Sequence, residues 1–244
     1  MKLFNINLLT LVLGVTLSLP ANLMAQSSNA KSTLSAKQQN LIAIAGLTAK
    51  GDLPALKVKL NAGLDAALTI NETKETMVHL YAYCGFPRSI RGLQTLMAVL
   101  EERKAKGIAD QRGAEPSPVN DNRTKYERGK EILGKLTGAS QDGPRTGYAA
   151  FASEIEVFLK EHLFADIFER DVLTYAEREL VTVAVLSSIG GAEPMLNSHL
   201  SICLNVGLSP GQLQQFVGVI AQSIGKKEAD AAQVVLNEVL KSKK

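Results

Sequence analysis

A repeat constrains this chain more than any other feature. Moving 140 positions along the 244-residue sequence, without a gap, places Gly51 on Gly191, Pro54 on Pro194, Leu56 on Leu196 and Leu60 on Leu200. The same shift places Leu64 on Leu204, Leu68 on Leu208, Gly85 on Gly225, and Leu96 and Leu100 on Leu236 and Leu240. Thr69 and Ser209 coincide where a helix is expected to begin. One such coincidence means little, but this many at a single offset mark a duplicated unit. A short helical unit has little core of its own. The two copies are therefore expected to bury apolar stripes against each other, related by a pseudo-two-fold axis.

Within each copy the pattern is helical. Ser35 is placed to cap a helix that runs to Lys50, and Gly51-Asp52 breaks it. Leu56, Leu60 and Leu64 recur every fourth residue. Thr69 with Glu72 three residues later forms a capping box, Gly85 ends that helix and Pro87 starts the next. "YAAFASEIEVFLKEHLFADIFER" reads as one longer amphipathic stretch. No segment alternates with period two, so the expected fold is all-α with no sheet.

Residues 1–25 stand apart. A basic Met1-Lys2 start, an apolar run over Leu8–Pro20 too short to span a bilayer, and the small residue Ala25 read as a secretory signal peptide. The mature chain is then exported, periplasmic or secreted, with no stable membrane insertion. The remaining divisions are a first helical unit over 35–106, a linker over 107–122 rich in Gly, Pro, Asp and Asn, and a second, fuller unit over 123–244. Apolar residues make up 45% and charged residues 21% of the chain, the balance of a soluble globular protein. The net charge of +3 is scattered, which argues against a nucleic-acid groove.

Chemistry-bearing residues are few. His199 and Cys203 lie one turn apart on a helix. The pair reads either as an activated thiol or as a histidine beside a Cys packed in the row Leu196, Leu200, Leu204, and packing is the simpler reading. Cys84 and Cys203 are the only cysteines, open to a disulfide or to two buried free thiols. His79 and His162 read as structural or surface residues, and the His and Cys positions show no metal-ligand spacing. "YAYCGFPRS" (Tyr81–Ser89) supplies either core aromatics around a helix break or a substrate wall made of Tyr83, Phe86 and Arg88.

The stretch Glu177–Ile220 carries acidic residues ahead of an apolar helix, a Gly-Gly turn, a His on the next helix and then "NVGLS". It resembles the carboxymuconolactone decarboxylase family, and the resemblance covers nearly the whole mature chain as two tandem units. It implies a carboxy-lyase that works without cofactor or metal on a small anionic lactone or related acid. His199 and Glu179 would be the catalytic pair, with Glu177 the alternate to Glu179. Tyr83, Phe86, Arg88 and Arg178 would bind substrate, with Arg170 a further candidate to hold its carboxylate. The resemblance also implies homo-oligomers. The family's alkylhydroperoxidase branch places a Cys-x-x-Cys pair before the His; those positions here are Ala192 and Met195, which weighs against peroxide reduction. In the first copy Lys59 stands where the second has His199, which keeps open a non-catalytic, ligand-binding scaffold. Each copy thus holds part of a site, and one composite pocket per chain is expected, with His199 and Glu179 facing Tyr83 and Arg88 across the repeat interface.

Overall fold

The computed structural model describes residues 33–242, which fall in one compact unit. The leader expected over 1–25 lies outside the described residues. No strand occurs among the described residues. The chain runs α1 (Ala36–Lys50), α2 (Leu53–Asp65), α3 (Ile70–Ala105), α4 (Lys125–Thr137), α5 (Gly147–Phe151), α6 (Ser153–Phe158) and a π-helical segment (Leu159–Phe168). It continues through α7 (Tyr175–Ile189), α8 (Glu193–Asn205), α9 (Pro210–Ser223) and α10 (Lys226–Ser242).

The repeat register is visible in these bounds. Adding 140 carries α2 onto α8, and carries the start of α3 onto the start of α9. Thr69 and Ser209 both build capping boxes, with Glu72 and Gln212 as their partners. α3 breaks at Gly85, whose φ of 79° and ψ of 162° suit glycine alone. After Pro87 the helix folds back, and the Ser89 hydroxyl donates to the Met77 carbonyl at 2.7 Å. The α9–α10 junction at Gly225 occupies the same place in the second copy.

The two copies share one core. α1 packs across α7, while α3 packs on α7 and α9 packs on α1, so each copy's third helix covers the other's first. Leu56, Leu60, Leu68 and Leu96 are buried beside their counterparts Leu196, Leu200, Leu208 and Leu236. At about 25 cal/mol per Å² of apolar surface removed from water, this shared burial holds the copies together. The segment between α3 and α4 is not helical but is tied down: the Ile70 and Asn71 N–H groups donate to the Gln111 and Arg112 carbonyls.

The second copy carries an added layer. α4 packs on the π-helical segment around Ile132, Leu136, Leu163, Phe164, Ile167 and Phe168. The approach is close: a Cβ at Gly129 would sit 1.7 Å from the Lys160 carbonyl oxygen. The single long helix expected here is instead α5, α6 and a π-helical run. Ala152 adopts φ −132° and ψ 80°, outside the helical region, and separates α5 from α6.

Candidate active site

α7 starts in a capping box. Thr174 Oγ1 accepts from the Glu177 N–H, and Glu177 Oε2 accepts from the Thr174 N–H and hydroxyl. Glu177 is thereby committed to the helix start. Two residues on, the helix has turned by roughly 200°, so Glu179 points into the core, where its side chain is fully buried. α8 crosses there and brings His199 Nδ1 to 2.8 Å from Glu179 Oε2. A carboxylate only accepts, so the ring offers it Nδ1–H and leaves Nε2 for another partner. The His199 side chain is 16% exposed, so the pair is reachable from outside.

The third member comes from the other copy. The Tyr83 ring, on α3, meets His199 edge-on, with centroids 5.8 Å apart at 85°. Its hydroxyl is buried beside Thr182 without hydrogen-bond geometry. Burial, then the nearby Glu179 charge, pushes its pKa up, so it stays protonated. Glu179 Oε1 is likewise buried without a partner. An unpaired donor and an unpaired acceptor therefore flank His199, an arrangement that buried polar groups rarely leave unfilled.

Behind this trio runs a buried polar network. Glu75 accepts from Arg170 Nε at 3.0 Å through both oxygens and from Arg178 Nη2 at 2.7 Å. Arg178 Nη1 lies 3.3 Å from His79 Nδ1. A guanidinium only donates, so His79 accepts at Nδ1 and carries its proton on Nε2, which donates to Thr182 Oγ1 at 2.9 Å. The Thr182 hydroxyl donates in turn to the Arg178 carbonyl at 3.0 Å. Burial, then the Arg178 charge, holds the pKa of His79 well below the usual histidine range, so the ring is neutral. Phe168 closes the network, with its ring 5.0 Å from the His79 ring and 5.9 Å from the Arg178 guanidinium. Two guanidinium groups thus meet on one carboxylate, Glu75; Arg178 is fully buried and Arg170 is one-third exposed.

Of the residues singled out from sequence, His199, Glu179 and Tyr83 come together. Arg178 does not face a cleft: it is fully buried and spent on Glu75, His79 and the Arg170 carbonyl. Phe86 is 63% exposed and stacks on Tyr81 with centroids 4.6 Å apart, on the outer surface. Arg88 is exposed and lays its guanidinium over Gly51. The Gly85 break turns the chain outward directly after Tyr83, which is why these two part from it. Cys84 and Cys203 are free thiols. Burial, then the Glu179 charge, pushes the pKa of Cys203 well above the usual thiol range, while burial pushes that of Cys84 up to about 11. Neither suits a thiolate nucleophile. A surface cavity of about 740 Å³ is lined by α4 and the turn after it, and His199 is not among its walls.

Glu75 and Thr182 escaped the sequence reading, and His79 was read there only as a structural or surface residue. Their signal was the repeat itself: a glutamate, a histidine and a threonine stand where the other copy has Gln215, Val219 and Ile42.

The sequence pattern of the carboxymuconolactone decarboxylase family matches residues 20–97 and again 154–237, together more than half of the chain. The chain belongs to the carboxymuconolactone decarboxylase family. A 4-carboxymuconolactone decarboxylase of Acinetobacter baylyi (strain ATCC 33305 / BD413 / ADP1) is 26% identical over 124 residues, which is 50% of this chain and 91% of that protein. The relative is thus about one family unit long, and this chain is two. The two matched segments end 140 residues apart, the same offset that the glycines and leucines set. In this family member Glu179 and His199 lie in the second matched segment and Tyr83 in the first.

Proposed function

We propose that the protein is a carboxy-lyase-type acid–base enzyme acting on a small carboxylated lactone or related acid. The observation that carries this reading is the buried Glu179 carboxylate clamped on His199, with the unpaired Tyr83 hydroxyl beside them. In the reaction, the bond from the substrate carbon to its carboxylate breaks and CO₂ leaves. The electron pair passes into an adjacent conjugated carbonyl as an enolate. Tyr83 O–H stabilises the enolate oxygen by a hydrogen bond. His199, as the imidazolium held by Glu179, gives a proton to carbon and recovers it from solvent through its exposed edge. No arginine needs to grip the departing carboxylate. Such an ion pair would stabilise the ground state more than the transition state, in which that charge is being lost.

Two further features belong to this proposal: export of the mature chain after removal of residues 1–25, and self-association. Among the described residues no helix is long and apolar enough to cross a membrane.

The test is CO₂ release from carboxymuconolactone by the purified mature chain. His199→Ala and Glu179→Gln are expected to lower kcat by about 10²- to 10⁴-fold while the far-ultraviolet helix signal is kept. A His199→Ala protein that decarboxylates at the wild-type rate would overturn the reading.

A further inference from the structure

A second binding site lies outside the catalytic trio, and repeat symmetry exposes it. In the first copy the N-terminus of α2 is closed. Asp52 caps it, its carboxylate accepting from the Ala55 N–H at 3.1 Å. The Arg88 side chain fills the adjoining space so tightly that a Cβ on Gly51 would sit 1.5 Å from Nη1. In the second copy both fillers are gone. Ala192 replaces Asp52 and offers no side-chain cap to the 13-residue helix α8. Glu228 replaces Arg88 and turns to Lys50, 2.7 Å away. Nothing lies within 4 Å of where a Cβ on Gly191 would stand.

What remains is a cavity of about 340 Å³ between the end of α7, the start of α8 and the start of α10. One of its walls is Ser187, which stands where the first copy has Leu47. Ser187 is only 7% exposed, and its hydroxyl has no hydrogen-bond partner. A buried hydroxyl in place of a leucine costs stability unless something pairs with it. The ionisable walls of the cavity are two lysines, Lys50 and Lys227, and two glutamates, Glu193 and Glu228. Glu228 is spent on Lys50, and Glu193 accepts from the Gly191 N–H at 3.2 Å. Lys227 has no ion pair among the described residues. An uncapped helix N-terminus, a lysine outside any described ion pair and an unpaired hydroxyl share one cavity.

We infer that this cavity binds the oxyanion group of a small molecule, a carboxylate or a phosphate. Its oxygens would accept from the first-turn N–H groups of α8 and from Ser187 Oγ, opposite Lys227. The group stands in for the Asp52 carboxylate of the first copy.

The experiment is an amide NMR titration of the mature chain with sodium phosphate and, separately, sodium acetate, at constant ionic strength. Saturable shifts are expected at Gly191, Glu193 and Met195, with Kd on the order of 1 mM. Ala192→Asp supplies the missing cap from within. It should weaken binding at least tenfold and raise Tm, which a misfolded variant could not do. Ser187→Ala should weaken binding several-fold with the rest of the spectrum unchanged. Saturation by phosphate alone identifies a phosphorylated ligand, and saturation by acetate alone a carboxylate. No saturable shift with either anion, or binding unchanged by Ala192→Asp, would overturn the site. The same amides responding to ammonium chloride but to neither anion would also overturn it.

Discussion

The duplicated chain makes two equivalent contacts between a first helix and the other copy's third helix, and the two have opposite characters. Where α3 meets α7, Glu75, His79 and Tyr83 face Arg178, Glu179 and Thr182, all drawn into one hydrogen-bonded network or its edge. Where α9 meets α1, the equivalent positions are Gln215, Val219 and Ser223 against Gln38, Gln39 and Ile42. There Gln215 accepts from the Leu34 N–H at 2.8 Å, Gln38 serves the Ser35 cap, and Ile42 is simply buried. Glu179 is fully buried while Gln39 is exposed. One backbone arrangement therefore tolerates either filling. The charged version is not required by the fold, and a buried ion network of this kind is weak evidence for stability in its own right. Its presence at one contact alone is what sets the contact that holds the proposed site apart from the other.

Charge should dominate any attempt to break this contrast. Glu75→Ala strips Arg178 of its carboxylate in a fully buried setting and should cost about 3–5 kcal/mol of unfolding free energy. The equivalent Gln215→Ala removes one neutral hydrogen bond and should cost about 1 kcal/mol. Urea denaturation of the two variants measures both. Losses of equal size would mean that the contacts do not differ energetically. Replacing the pair together, Glu75→Leu with Arg178→Met, should recover most of the loss, because the fully buried guanidinium goes with its carboxylate and Arg170, one-third exposed, can turn to water.

A second difference between the contacts is their response to acid. His79 is neutral in the folded protein and has its pKa held well below the usual range, whereas in the unfolded chain it takes a proton near pH 6.5. The unfolded state then binds more protons as pH falls. Stability is lost from about pH 6.5 downward, by up to about 1.4 kcal/mol per pH unit until the folded pKa is reached. Val219, the equivalent residue, contributes no such slope. The difference between wild type and His79→Gln isolates the histidine from the carboxylates, which titrate in both. Parallel stability curves for the two proteins between pH 6.5 and 5.5 would show that His79 takes up its proton in place.

How much of this was legible in the sequence follows from how each feature is encoded. The helices and their starts were legible because capping is local: Ser35, Thr69 and Glu72 announce themselves within four residues. The pairing of copies was legible because leucines and glycines at a fixed offset survive duplication. His199 with Glu179 was legible through the family resemblance, and the family's match in two segments supports two tandem units. Glu75 and His79 were not, since their meaning depends on Arg178, about 100 residues away in sequence. Phe86 and Arg88 were grouped with Tyr83 because they follow it closely, but a single glycine at φ 79° sends them to a different surface. The α5–α6 break at Ala152 has no proline or glycine to mark it.

The smallest effect on stability is expected at Tyr83, which makes it the sharpest probe of what the charged contact is for. Its hydroxyl is buried and forms no hydrogen bond of good geometry, so Tyr83→Phe removes a desolvated group and no partner. Unfolding free energy should stay within about 0.5 kcal/mol of wild type or rise slightly. The ring, and with it the edge-on contact to His199, is kept. Decarboxylation should nevertheless slow by roughly 10²-fold, the usual cost of one lost donor to a developing oxyanion. The loss should appear in kcat with KM little changed, because the hydrogen bond strengthens only as the enolate forms. A structural role predicts the reverse pattern, lost stability with kcat intact. A variant that keeps both stability and kcat would leave the hydroxyl as a cost to folding with no compensating use, and would remove Tyr83 from the reaction.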